Sequence, residues 1–110
     1  LSHNRISAWP KHLNHWPQLE VLDVSSNELD SIPAAIAELK ALHELVAGNN
    51  VIYHVHEAIG ELTELRQLSL WSNNIYYLPA TVYELPHLEE VDLRVVMWEV
   101  KLEIVLEFDS

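Results

Sequence analysis

An asparagine recurs at a fixed interval along this chain of 110 residues. Asn4, Asn27, Asn50 and Asn73 follow one another with a spacing of 23 residues. An interval of this size is typical of a solenoid, in which each repeat is one supersecondary unit that stacks on the next to bury its apolar edge. Because the chain has only 2 glycines, we expect these asparagines to stabilise the turns, since asparagine tolerates a left-handed backbone and its amide bonds neighbouring backbone groups.

The asparagines align the chain on one skeleton, LxxLxLxxNxLxxLPxxIxxLxx. We expect a single repeat domain over residues 1–110, made of a partial repeat, three full repeats and a divergent last unit, in the order 1–18, 19–41, 42–64, 65–87 and 88–110. The LxxLxL part alternates with period 2 and predicts a short strand with one face buried. The LPxxIxxL part places proline before apolar residues three apart and predicts a short helix or 3₁₀ turn.

This skeleton resembles that of the leucine-rich repeat family, in the class that carries LPxxIxxL and occurs in many bacterial proteins and in Ras-scaffold-type proteins. The resemblance covers residues 1 to about 95. It implies an α/β solenoid, an arc with a parallel β-sheet on its concave face and short helical or 3₁₀ turns on its convex side. Because leucine-rich repeats commonly bind proteins, it also implies a protein–protein interaction scaffold.

The charge of the chain excludes several classes of partner. Six Lys and Arg residues against 17 Asp and Glu residues give a net charge of −11, which repels nucleic acid and anionic membrane surfaces. The chain has no cysteine, which excludes disulfides, cysteine-based zinc sites and thiol catalysis and fits a cytoplasmic protein. The sequence contains no nucleophile elbow and no glycine loop for phosphate. We therefore expect a protein that is not an enzyme and that needs no cofactor.

Strand alternation predicts which side chains are available to a partner. Positions three, five and seven of the repeat point away from the core, opposite the buried fourth and sixth positions. We predict that the partner-binding residues on the concave face are Trp71, Arg94, Asp23, Val46, Ser69, Asp92, Glu44, Gln67 and Glu90. The carboxylates among them make this surface acidic, so we expect a protein or peptide partner with a basic patch.

Trp71 is the predicted anchor of that surface, because a large aromatic side chain is costly to leave bare and is typical of interfaces. Arg94 occupies the same position one repeat later and is placed to stack on the indole. Gly48, one repeat earlier, is expected to leave a gap beside it. The alternative is that Trp71 packs only on Arg94 or on the C-terminal segment.

The seven histidines give little support for a metal site. His54 and His56 form an HxH motif, and His12 and His15 are three residues apart. Apart from Glu57, no further metal ligand lies near the HxH motif in the sequence. We interpret the histidines as solvated polar positions, and His56 stands where other repeats have proline. Beside them, the aromatic pairs Tyr53–Tyr76 and His54–Tyr77 predict a stacked ladder that is more often structural than a ligand platform.

The last unit departs from the repeat and alternates instead. Its apolar positions are Trp98, Val100, Leu102, Ile104, Leu106 and Phe108. The alternation predicts an amphipathic strand that caps the open end of the core. The alternative is a self-pairing edge that forms a homodimer through residues 98–108, and an unrelated tail is a third interpretation.

The first residue, Leu1, falls in the middle of a predicted strand. Solenoids normally need a polar terminal unit over the exposed core. We therefore expect a fragment of a longer protein, unless Trp9 and Trp16 shield that end. This keeps open a further alternative, in which the chain is the recognition segment of a larger signalling enzyme.

Overall fold

The computed structural model describes residues 1–96, 101–102 and 105–108. Four 3₁₀ helices lie in this part of the chain, at η1 (Leu13–His15), η2 (Ala34–Glu38), η3 (Glu57–Glu61) and η4 (Ala80–Glu84). The strands described there are β1 (Val21–Asp23), β2 (Ser31–Ile32), β3 (Glu44–Val46), β4 (His54–Val55), β5 (Gln67–Ser69), β6 (Glu90–Asp92), β7 (Val95–Val96), β8 (Lys101–Leu102) and β9 (Val105–Glu107). Each full repeat thus supplies one strand of the main sheet and one 3₁₀ helix, as the skeleton predicts.

The main sheet has five strands in the order β1-β3-β5-β6-β9. Its first four strands are parallel, and their register joins equivalent positions of successive repeats, so that Leu22 pairs with Leu45 and Leu45 with Leu68. Strand β9 returns antiparallel to β6, with Leu106 opposite Val91. The parallel strands and short 3₁₀ helices confirm a repeat solenoid.

The core lies between this sheet and the 3₁₀ helices. Pro33 holds an extended backbone before η2, and the Leu39 N–H then donates to the Ile36 carbonyl at 3.1 Å, a 3₁₀-type bond. Residues three apart lie on the same side of a 3₁₀ helix, so Ile36 and Leu39 are both buried. Ile59 and Leu62 fill the equivalent positions of the second repeat and Val82 and Leu85 those of the third. Each fully buried side chain of this size contributes about 1.5–3 kcal/mol.

An asparagine ladder runs through the solenoid, as the spacing predicts. The Asn50 Oδ1 accepts from the Leu29 N–H at 3.0 Å, and its Nδ2 donates to the carbonyls of Val24 at 3.1 Å and Ala47 at 3.0 Å. Asn73 repeats this pattern one unit later, toward Ile52 and Ala47. Each of these amides therefore ties its own turn to the turn before it, which satisfies backbone groups that no strand reaches.

The left-handed residues of the turns are not the ladder asparagines, so that part of the prediction is wrong. Positive φ angles occur one position earlier, at His3, Ser26, Asn49 and Ser72. The N–H groups of these residues extend the inter-repeat bonding, for example from Ser26 to the Gly48 carbonyl at 2.9 Å. The left-handed residue turns the backbone, and the asparagine that follows it then points its amide inward.

The C-terminal segment extends the sheet rather than continuing the repeat. Strand β9 pairs along β6, and Leu106 and Phe108 pack partly on the core. Strand β8 pairs antiparallel with β7. This arrangement fits the cap interpretation, although Trp98, Val100 and Ile104 lie outside the described residues. No helix among the described residues is long and apolar enough to cross a membrane.

Candidate functional site

The predicted partner-binding residues line one side of the main sheet, which we call the outer sheet face. Its residues within the strands are Val21, Asp23, Glu44, Val46, Gln67, Ser69, Glu90 and Asp92. The parallel register arranges them in two rows, because position three pairs with position three and position five with position five. The residue between them in each strand is buried. The strands therefore bring these predicted residues together on one surface.

Strand β9 adds two residues to this face that the sequence analysis missed. Glu107 pairs with Glu90, and Val105 with Asp92. Directly opposed residues of an antiparallel pair project to the same side of the sheet. The alternation of residues 98–108 indicated a strand, but the strand it would pair with and the direction of that pairing could not be read from the pattern. Glu107 and Val105 therefore extend the two rows.

Trp71 lies beside the strands, at the seventh repeat position, where it covers Gly48. A Cβ atom added to Gly48 would overlap the Cε2, Nε1 and Cδ2 atoms of the indole. The expected gap beside the indole is thus absent, because the indole itself fills it. Trp71 is half-buried in this position. The glycine lets the ring lie flat against the backbone of the preceding repeat, which restricts its orientation.

Arg94 occupies the seventh position of the last unit, as Trp71 does in the repeat before it, and forms a charged pair with Asp92. The Arg94 Nε donates to both carboxylate oxygens, at 2.9 and 3.0 Å, and its backbone N–H donates to Oδ1 at 3.0 Å. The guanidinium is half exposed, whereas Asp92 is only 6% exposed. The Asp92 carboxylate is therefore covered, and the exposed part of this ion pair belongs to the Arg94 side chain.

The pKa of Asp92 is lowered from its usual value of 3.8. Burial by itself would raise that pKa, but the hydrogen bonds and the positive charge of Arg94 outweigh it. The pKa of Asp23 is also lowered: burial would raise it, but bonds from the Ser25 hydroxyl at 2.6 Å and the Ser25 N–H at 2.9 Å outweigh that effect. Both carboxylates stay ionised. The charge of Asp23 contributes to the acidity of the face, whereas that of Asp92 is compensated by Arg94.

The aromatic cluster past the asparagines has a different geometry from the predicted ladder. Tyr77 and His54 do pair across the repeats, with ring centroids 6.3 Å apart and the Tyr77 hydroxyl 3.3 Å from the His54 Nδ1. The ring centroid of Tyr76 lies 5.2 Å from that of Tyr77, its neighbour in sequence. No ring contact joins Tyr76 to Tyr53 in the described structure, and both rings are at least half exposed. Most of this aromatic surface thus faces solvent.

Most of the histidines are exposed, as expected, but one has a structural role in the described residues. His56 is the N-cap of η3, where its Nδ1 accepts from the Ala58 N–H at 3.0 Å, so it is not simply a solvated substitute for proline. His12 and His15 stack with centroids 4.9 Å apart. No group of three or more His, Asp or Glu side chains within the described ranges could hold a metal ion.

Comparison with known proteins agrees with this architecture. Residues 1–52 match the leucine rich repeat family. Among solved structures, a leucine-rich repeat protein of Leptospira interrogans is similar, with 32% sequence identity and a TM-score of 0.77 over 81% of the present chain. The chain spans only 23% of that protein's length. No curated protein matches the chain in sequence.

Proposed function

The chain is a leucine-rich repeat protein, and from this premise we propose that it is a non-catalytic scaffold that binds a partner protein or peptide on the concave face of its sheet. Members of this family are usually interaction scaffolds. The observation that carries the proposal is the placement of Trp71, which lies flat over Gly48 beside the outer sheet face. A tryptophan held in one orientation loses little conformational entropy when it binds, and this favours it as an anchor.

The charges on the face indicate the chemistry of the partner. Asp23, Glu44, Glu90 and Glu107 belong to its rows, while the positive charge of Arg94 is compensated by Asp92. Glu90 and Glu107 are directly opposed, and opposed like charges disfavour each other. A partner with a basic patch would relieve this repulsion, and the net charge of −11 would speed its approach.

A capture experiment with a matched control tests this proposal. The intact chain, Trp71→Ala and Trp16→Ala would each be used to capture proteins from the source lysate. Trp16 is also a partly exposed tryptophan, with 43% exposure, but it lies outside the sheet. We expect a specific partner to follow the intact chain and Trp16→Ala, and to bind Trp71→Ala at least roughly thirtyfold more weakly, the loss typical of a hot spot. A partner that binds all three equally would contradict the assignment.

A second candidate function is self-association through β9. This strand ends the sheet, and no strand pairs with its outer edge among the described residues. The Phe108 N–H donates to the Glu89 carbonyl at 3.0 Å, and backbone groups point alternately to the two sides of a strand. The Glu107 N–H therefore points outward, where a second copy could pair with it.

Sedimentation over a range of concentrations tests self-association. If β9 pairs with a second copy, the intact chain forms a dimer at high concentration and Glu107→Pro remains a monomer, because proline removes the outward N–H. Glu107→Ala keeps that N–H and should dimerise as the intact chain does. An intact chain that stays monomeric at high concentration would rule out this candidate.

A further inference from the structure

A groove opens between the second and third repeats, on the side of the chain that carries β4 and the 3₁₀ helices. Its volume is about 450 Å³. His54, His56 and Glu57 line it from the second repeat, and Tyr77, Pro79 and Thr81 line it from the third. These residues are distinct from the outer sheet face, so the groove is a separate candidate site.

The groove lies where the backbone hydrogen bonding between the first and second repeats does not continue to the third repeat. Strands β2 and β4 pair there, and the His56 N–H donates to the Ile32 carbonyl at 2.8 Å. The residue equivalent to His56 in the third repeat is Pro79, which has no N–H to continue the ladder. In the described structure no strand pairs with the far side of β4. The two repeats are therefore not joined by backbone pairing along the groove.

A hydrogen bond nevertheless joins the two sides of the groove. The Thr81 hydroxyl donates to the Glu57 carbonyl at 2.8 Å. Gly60 lets η3 and η4 approach closely, because a Cβ at that position would crowd the Thr81 side chain. Because Glu57 and Thr81 both line the groove, these contacts hold its two sides at a fixed spacing, which preorganises it for a ligand.

One aromatic ring that the core does not need, that of Tyr77, lines the groove, and the ring of Tyr76 contacts it. Tyr77 is 49% exposed and Tyr76 is 78% exposed, whereas the neighbouring Leu78 and Ile75 pack against the core. The first repeat has Ser31 where the third has Tyr77, so the repeat itself does not require an aromatic ring there. The hydrogen bond to His54 fixes the Tyr77 ring at the edge of the groove.

The charge at the groove is complementary to a cation. Glu57 is exposed and takes part in no ion pair in the described structure, and no Lys or Arg lines the groove. A guanidinium group is planar, stacks on aromatic rings and donates paired hydrogen bonds to a carboxylate, whereas an ammonium group does neither as well. We propose that this groove binds the arginine side chain of an extended basic peptide segment, with the guanidinium stacked on Tyr77 and bonded to Glu57.

A titration followed by NMR tests the proposal with three matched probes. They are short capped peptides with a central arginine, lysine or citrulline, the last of which has nearly the shape of arginine without its charge. We expect the arginine peptide to shift the ring resonances of Tyr77 and His54 and to bind several-fold more tightly than the lysine peptide. The citrulline peptide should bind at least roughly tenfold more weakly than the arginine peptide, because it forms no charge-assisted bond.

Three variants distinguish peptide binding in the groove from binding on the outer sheet face. Glu57→Gln keeps the shape and the backbone carbonyl that Thr81 bonds, and it should weaken arginine binding roughly tenfold. Tyr77→Ala should remove the preference for arginine over lysine. Trp71→Ala should leave the titration unchanged, so failure of the proposed sheet function would not affect this result. Equal binding of the arginine and lysine peptides, unchanged binding by Glu57→Gln, or the absence of shifts at Tyr77 and His54 would each overturn the proposal.

Discussion

The indole of Trp71 occupies the space that any side chain at position 48 would need. The two residues are equivalent positions of successive repeats, separated by one period of 23 residues. Gly48 is one of only 2 glycines in the chain, and its φ angle is not in the left-handed region. Its role is therefore steric: it admits the indole, and it does not serve as a turn residue.

Gly48→Ala is expected to destabilise the chain by about 1–3 kcal/mol, the usual cost of overpacking a closely packed site. The measurement is urea unfolding of the intact chain and the variant. The same substitution made together with Trp71→Ala should cost much less, because the clashing ring is gone. An equal cost with and without Trp71 would show that the clash does not arise from the indole.

Asn50→Ala should cost about 1–3 kcal/mol of folding stability, the usual cost of one unsatisfied buried group. The substitution leaves the Leu29 N–H without its buried acceptor, whereas the carbonyls of Val24 and Ala47 keep a bond from Asn27 and Asn73 respectively. Asn74→Ala is the matched control, since Asn74 is exposed and, within the described part of the chain, only its backbone is bonded. Equal unfolding midpoints for the two variants would contradict the role of the ladder.

Much of the fold could be predicted from the sequence because its period links every local feature to a position in the stack. The strands, the 3₁₀ helices and the asparagine ladder each recur with the repeat, so one pattern is observed several times. The partner of β9 could not be predicted, because the antiparallel pairing of Glu107 with Glu90 does not recur with the 23-residue repeat.

The residues that face outward at the candidate site could be predicted from the sequence, but the contacts between their side chains could not. Alternation indicated that Asp92 and Trp71 point away from the core. It carried no information on how side chains on that face contact each other. The coverage of Asp92 by Arg94, the Trp71–Gly48 contact and the cap formed by His56 depend on rotamers and close approach, which a pattern of residue types does not encode.

The left-handed turn position gives a third test. Ser72 has a φ angle of 51°, and a β-branched residue is strongly disfavoured there. Ser72→Val should therefore destabilise the chain by about 1–2 kcal/mol or more. Ser69→Val is the control, because Ser69 lies in strand β5, where β-branched residues are favoured. Thermal unfolding measures both, and a Ser72→Val variant as stable as the control would refute the assignment.

The pairing of Arg94 with Asp92 predicts a pH-dependent contribution to stability. At pH 7, Arg94→Ala should cost roughly 1–3 kcal/mol, because it leaves a covered carboxylate without its charged donor. The folded pKa of Asp92 lies below the unfolded value of 3.8, so the folded chain binds fewer protons there than the unfolded chain does. The stabilisation is therefore complete well above pH 3.8 and is lost as the pH falls through the folded pKa.

Urea unfolding of the intact chain and of Arg94→Ala between pH 7 and pH 2 measures this contribution. The difference in free energy of unfolding should be constant near neutral pH and should shrink below about pH 4, as Asp92 becomes protonated in the intact chain. Arg66→Ala is the control, because Arg66 is exposed and its side chain forms no ion pair in the described structure. A difference for Arg94→Ala that stays constant down to pH 2 would mean that Arg94 stabilises the sheet by packing, without help from the charge on Asp92.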